Sequence, residues 1–100
     1  MRLFLPALLC LATVLRLSAV ETGEPPAELQ FKTAYQVLSK ADVARDAGED
    51  AHASKLYREA LDVYMRLARK YPDWQPGVVR FRVTYCNNQL EALLKKIDGR

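Results

Sequence analysis

One histidine, two cysteines and four glycines in 100 residues leave little from which to build a reactive centre. His52 has no cysteine or second histidine near it, so no metal site forms around it. Ser18, Ser39 and Ser54 lack a nucleophile-elbow motif and a histidine at a useful spacing. The glycines are scattered, at 23, 48, 77 and 99, which excludes a phosphate-cradling loop. Adjacent carboxylates such as Glu49 and Asp50 are expected at a helix start. Arg80, Arg82, Asn87 and Asn88 are expected to be mostly solvated helix surface, with a role in a groove as the alternative. The sequence therefore assigns no catalytic residue, no metal ligand and no cofactor, and no enzymatic activity is expected. Cys10 lies in an apolar N-terminal run and Cys86 is the only cysteine after it. A processed chain then has no internal disulfide, and its stability must come from packing or from a partner. Cys86 falls on an apolar stripe and reads as a small buried hydrophobe; pairing between chains is the alternative.

A one-sided charge is also missing. The formal charge is +3 and the pI about 9.0. Setting aside Arg2 and Arg16 leaves 13 basic against 12 acidic residues, a net of +1. A nucleic-acid partner calls for a basic stripe, so none is expected.

The N-terminus has a distinct composition. Arg2 opens it, residues 3–15 are an apolar run of 13, and polar text resumes at Glu21. That layout predicts a signal peptide over residues 1–19, cut after Ala19, although Leu17 is larger than such sites prefer. A spanning helix needs about 20 apolar residues, and Pro6 and Arg16 make this run short. An uncleaved membrane anchor is the alternative. Leu9 before Cys10 disfavours lipid attachment. The expected location is secreted or periplasmic, with membrane contact only if the segment is retained.

Residues 20–26 form a linker, stiffened by Pro25 and Pro26. A single all-α domain is expected over 27–98. Its first helix begins at Pro26 or Ala27 and carries Ala34, Val37, Leu38, Ala41 and Ala44 on one face, with Leu29 at its start. Gly48 ends it through a left-handed conformation. Glu49 or Asp50 caps the second helix. That helix has a stripe of Ala53, Leu56, Tyr57, Ala60, Leu61, Tyr64, Leu67, Ala68 and Tyr71, spanning about 140° at roughly 100° per residue. Its far side holds Lys55, Arg58, Glu59, Asp62, Arg66 and Arg69; Arg58 with Asp62, and Asp62 with Arg66, are spaced for i,i+4 pairing. Pro72 stops it. Pro76 suits the first turn of a third helix, whose stripe is Val79, Val83, Cys86, Leu90, Leu93, Leu94 and Ile97.

At residues 57–74 the chain resembles the tetratricopeptide repeat. Ala60 matches the small position of that repeat's second helix, Tyr64 its aromatic and Pro72 its closing proline. Leu67 stands where alanine is usual. Gly48 resembles the inter-helix glycine, but the distance from Gly48 to Ala60 exceeds the repeat's by about two turns. The first helix lacks the Trp–Leu–Gly–Tyr signature, which Val37, Ala41 and Ala44 only approximate. The resemblance covers about one repeat. It implies an antiparallel helical hairpin followed by a capping helix, which binds proteins or peptides in a concave groove and performs no catalysis.

Val78, Phe81, Tyr85 and Ala92 form a second apolar strip on the third helix, nearly opposite the first. Either that helix is wedged against both others, or the strip meets a partner, since aromatics are enriched at such surfaces. Tyr71, Trp74, Val78, Phe81 and Tyr85 are accordingly the candidate partner-binding residues. The expected function is an exported interaction or assembly module, working with a protein partner or by self-association. The alternative is a membrane-tethered accessory subunit of a larger envelope complex.

Overall fold

The computed structural model describes residues 23–100. The expected signal helix, and the linker as far as residue 22, lie outside the described residues. Three helices follow: α1 (Ala27–Asp46), α2 (Asp50–Lys70) and α3 (Pro76–Asp98). No strand occurs among the described residues, so the all-α expectation holds.

Local chemistry sets the helix ends. Pro26 is extended (φ −60°, ψ 154°) and precedes the first turn of α1, where the missing N–H costs nothing. Gly48 sits at φ 79°. A Cβ placed there would meet nothing within 4 Å, so the position favours glycine for its backbone angle and not for space. The Gly48 and Glu49 amides donate to the carbonyls of Arg45 and Ala44 at 3.0 and 2.9 Å, closing α1. The capping expectation for α2 fails: the preceding residue is Glu49, and no side chain makes a cap hydrogen bond. Asp50 is instead buried at 3% exposure and paired with Arg100. There it gains the field of the helix N-terminus together with a cation. α2 stops at Lys70, two residues before Pro72, and Pro76 begins α3. Between them Gln75 takes a left-handed conformation, φ 43° and ψ 52°. That costs a non-glycine residue about 1–2 kcal/mol.

Side-chain contacts give the helix directions. Glu24 meets Lys70, Phe31 meets Tyr64, and Asp42 meets Tyr57, so α1 and α2 are antiparallel. Tyr57 meets Tyr85 and Asp50 meets Arg100, so α3 runs antiparallel to α2. Phe31 meets Trp74 and Arg45 reaches Gln89; α1 and α3 therefore run side by side in the same direction.

The core lies on α2. Tyr57, Ala60 and Tyr64 are fully buried, with Leu67 at 1%. Ala34, Leu38, Ala41 and Ala44 cover one flank and Val79, Cys86, Leu90 and Leu93 the other. Val37, Leu56, Leu61, Val83 and Tyr71 pack around this core while only partly buried. The stripes overreach at their edges: Leu29 is 52% exposed and Leu94 41%, because two neighbours cannot cover a stripe of that width. Arg58, Asp62 and Arg66 are exposed, and the expected i,i+4 pairs are absent from the ion pairs among the described residues. They serve as a solvated face.

Burial also sets the response to alkali. It pushes the Cys86 thiol from about 9 up to about 11 and the Tyr64 phenol from about 10 up to about 12. Both groups are neutral when protonated, so a raised folded value means that the folded state holds its proton longer. Their contribution is whole below the ordinary values and is lost as pH rises through the folded ones. The unfolding free energy from urea melts should stay level to about pH 9 and then fall steeply toward pH 12, by a few kcal/mol. Cys86→Ala should delay the onset by about one pH unit; an unchanged onset would exclude the thiol as its source.

Candidate functional site

The parallel pair α1 and α3 borders an open groove. At one end Phe31 packs against Trp74, with ring centroids 5.3 Å apart, and edge-on against Tyr64 at 5.6 Å. Glu28, Phe31, Lys32, Trp74, Gln75 and Val78 line an open concavity of about 470 Å³ there. A second of about 280 Å³ continues along the groove between Phe31, Lys32, Tyr35, Gln36 and Arg82. Phe31 and Lys32 belong to both. The left-handed Gln75 and its neighbour Trp74 both line the first concavity.

Arg82 crosses the groove from α3. Its guanidinium lies 4.7 Å from the Tyr35 ring centroid and 5.9 Å from that of Phe31. Both are cation–π distances. Its Nε is buried without a hydrogen-bond partner, and Arg82 has no ion pair among the described residues. The expectation of solvated surface fails for this residue. A cation on an aromatic bed at the side of an open groove can fix the orientation of a carboxylate or carbonyl laid along it.

The other end of the groove is closed by hydrogen bonds. The Tyr57 and Tyr85 hydroxyls both donate to Asp42 Oδ1, the latter at 2.8 Å. Arg45 Nη1 donates to the Tyr57 hydroxyl at 3.1 Å, to the Tyr85 hydroxyl at 3.0 Å and to Gln89 Oε1 at 3.0 Å. Asp42 lies 3.4 Å from the same nitrogen. The Tyr85 hydrogen bond and the surrounding charge hold Arg45 protonated well beyond its ordinary range. Burial, and then Asp42, push the Tyr57 phenol far up. These groups satisfy one another, so the cluster is a staple joining three helices.

The five residues singled out from the sequence fall into four settings. Trp74 and Val78 line the groove. Tyr85 is half-buried in the staple. The Tyr71 hydroxyl donates to Glu24 Oε2 at 3.2 Å, and Lys70 binds the same carboxylate and holds it below the usual range. Phe81 is 64% exposed and lines neither concavity. Sequence reasoning missed Phe31 and Tyr35, and gave Arg82 a groove role only as the alternative. The available signal was that residues 31 and 35 are four apart on α1, off its alanine face.

No family model, curated protein or solved structure matches the chain. Among the described residues no cluster of potential metal ligands occurs, and no helix is long and apolar enough to cross a membrane.

Proposed function

We propose that this is an exported, non-enzymatic interaction or assembly module of tetratricopeptide-like architecture, with the groove between α1 and α3 as its recognition face. One helix pair and the first helix of a following unit are the least that can form such a groove, and α1, α2 and α3 run in the directions this requires. The observation that carries the reading is Arg82, laid over Tyr35 and Phe31 beside open space and without an ion pair among the described residues. An apolar bed with one polar anchor is the usual design of a binding site. The segment 1–19 supplies the export half of the proposal.

Trp74 is the only tryptophan in the chain, so its emission reports directly on the groove mouth. Peptides selected from a random library on the processed chain should shift Trp74 emission as they saturate. Arg82→Ala should weaken them about tenfold or more, as expected for loss of a charge-assisted hydrogen bond. Binders indifferent to Arg82→Ala that leave Trp74 emission unchanged would move recognition elsewhere. Intact-mass measurement tests export: a mature start near Val20 supports it. A retained Met1 in the membrane fraction would sink it in favour of a membrane-tethered accessory subunit.

A further inference from the structure

The side of α3 away from α2 has no partner among the described residues. Val79, Cys86, Leu90 and Leu93 are the buried residues of α3, while Arg82, Tyr85 and Gln89 turn toward α1. At about 100° per residue, Gly77, Phe81, Thr84, Asn88, Ala92 and Lys95 lie within roughly 50° of the line opposite the buried face. All six are exposed. Four are small or short, Lys95 is long and flexible, and Phe81 is the most exposed aromatic ring among the described residues, at 64%.

The geometry points to a second copy of this chain on that ridge, its α3 antiparallel to the first about a two-fold axis near residues 86 and 87. The ridge is complementary to itself in that register. Phe81 of each copy lies over Ala92 of the other, a large residue in the space beside a small one. Thr84 of each faces Asn88 of the other, offering a hydroxyl and an amide that can hydrogen-bond. Arg80 and Glu91 lie on one edge of the ridge, and antiparallel pairing sets each Arg80 beside the other copy's Glu91. Two-fold symmetry makes every one of these contacts twice. Arg80 has no ion pair among the described residues. Glu91 has only a 3.9 Å contact to Lys95, with both side chains more than three-quarters exposed. Parallel pairing would set Arg80 and the other copy's Glu91 on opposite edges of the ridge, so only the antiparallel arrangement forms this charge pair. An unrelated partner helix would have to match this alternation by chance.

The dimer uses the third side of α3 and leaves the groove open, so it stands whether or not the groove binds peptides. Sedimentation equilibrium of the processed chain should show a reversible dimer. Phe81→Glu should raise its dissociation constant at least 100-fold and leave the helical content of the monomer intact, because the ring is exposed in each single chain. Arg80→Glu should weaken the dimer several-fold, and Arg80→Glu with Glu91→Arg should restore it. The charge swap remains informative even if Phe81→Glu fails to fold. In a Cys86→Ser background, a short bis-maleimide should join Asn88→Cys chains and should not join Gly77→Cys chains. A strict monomer at millimolar concentration would overturn the proposal. So would a dimer indifferent to both Phe81→Glu and the charge swap, or linkage at position 77 in place of 88.

Discussion

Replacing Asp42 with alanine should lower stability by about 2–3 kcal/mol, read as a fall in the urea midpoint. Its carboxylate accepts from two tyrosine hydroxyls and lies beside the Arg45 guanidinium. Without it, a half-buried cation and two phenols lose their acceptor together. Loss of one partner from a fully buried pair costs about 3–5 kcal/mol. The Arg45 and Asp42 side chains are 29% and 36% exposed, and water recovers part of that loss. Tyr57→Phe removes only a hydroxyl and should cost about 1 kcal/mol. Asp42→Ala and Arg45→Ala should combine to much less than the sum of their separate effects, because each already disrupts the same network. Additive losses would mean that the contacts are independent surface pairs.

Tyr64 should show a wide split between two substitutions. Tyr64→Ala removes a fully buried ring that packs edge-on against Phe31, and losses of this kind run at about 3–5 kcal/mol. A three-helix domain of this size has little more than that in hand. The variant should therefore be largely unfolded at 37 °C by circular dichroism. Tyr64→Phe keeps the ring and deletes a buried hydroxyl for which no protein atom serves as partner. It should match the wild type or exceed it by about 1 kcal/mol. A clear loss for Tyr64→Phe would show that the hydroxyl is bonded in solution.

Much of the fold was legible from the sequence because its signals are local. Gly48, Pro72 and Pro76 mark helix limits through their own backbone restrictions, and each limit falls where those restrictions place it. The stripe through Tyr57, Ala60, Tyr64 and Leu67 names the core correctly, since periodicity alone decides which side of a helix is covered. The groove was not legible in the same way. Asp42 and Arg45 sit three apart and look like an ordinary exposed pair; their partners Tyr57, Tyr85 and Gln89 are 12 to 44 residues away. Asp50 looks like a capping residue until its partner, Arg100, is found 50 positions later. Arg82 reads as surface because nothing nearby in sequence shows that Tyr35 will lie beneath it. The second strip on α3 was detectable as a strip. Its division between staple, groove and outer ridge depends on which neighbour each residue meets, and α1 approaches only one side.

The buried face of α1 has a consequence for alignment. Ala27, Ala34 and Ala41 recur every seven residues, so sliding α1 by two turns along α2 would set alanine where alanine was at positions 34 and 41. It would bring Phe31 and Val37 to the places of Leu38 and Ala44. At the alanine positions apolar contact alone scarcely distinguishes the two alignments, and the mismatch at positions 38 and 44 is one of size and not of polarity. Asp42 and Arg45 break the degeneracy. After a two-turn slip Tyr35 and Leu38 would stand in their places, and neither can serve the Tyr57 hydroxyl. The staple thus selects one alignment from several that methyl groups would accept, in the way that a polar residue fixes register in paired helices. Asp42→Ala should therefore also broaden the unfolding transition, through a mixture of slipped forms.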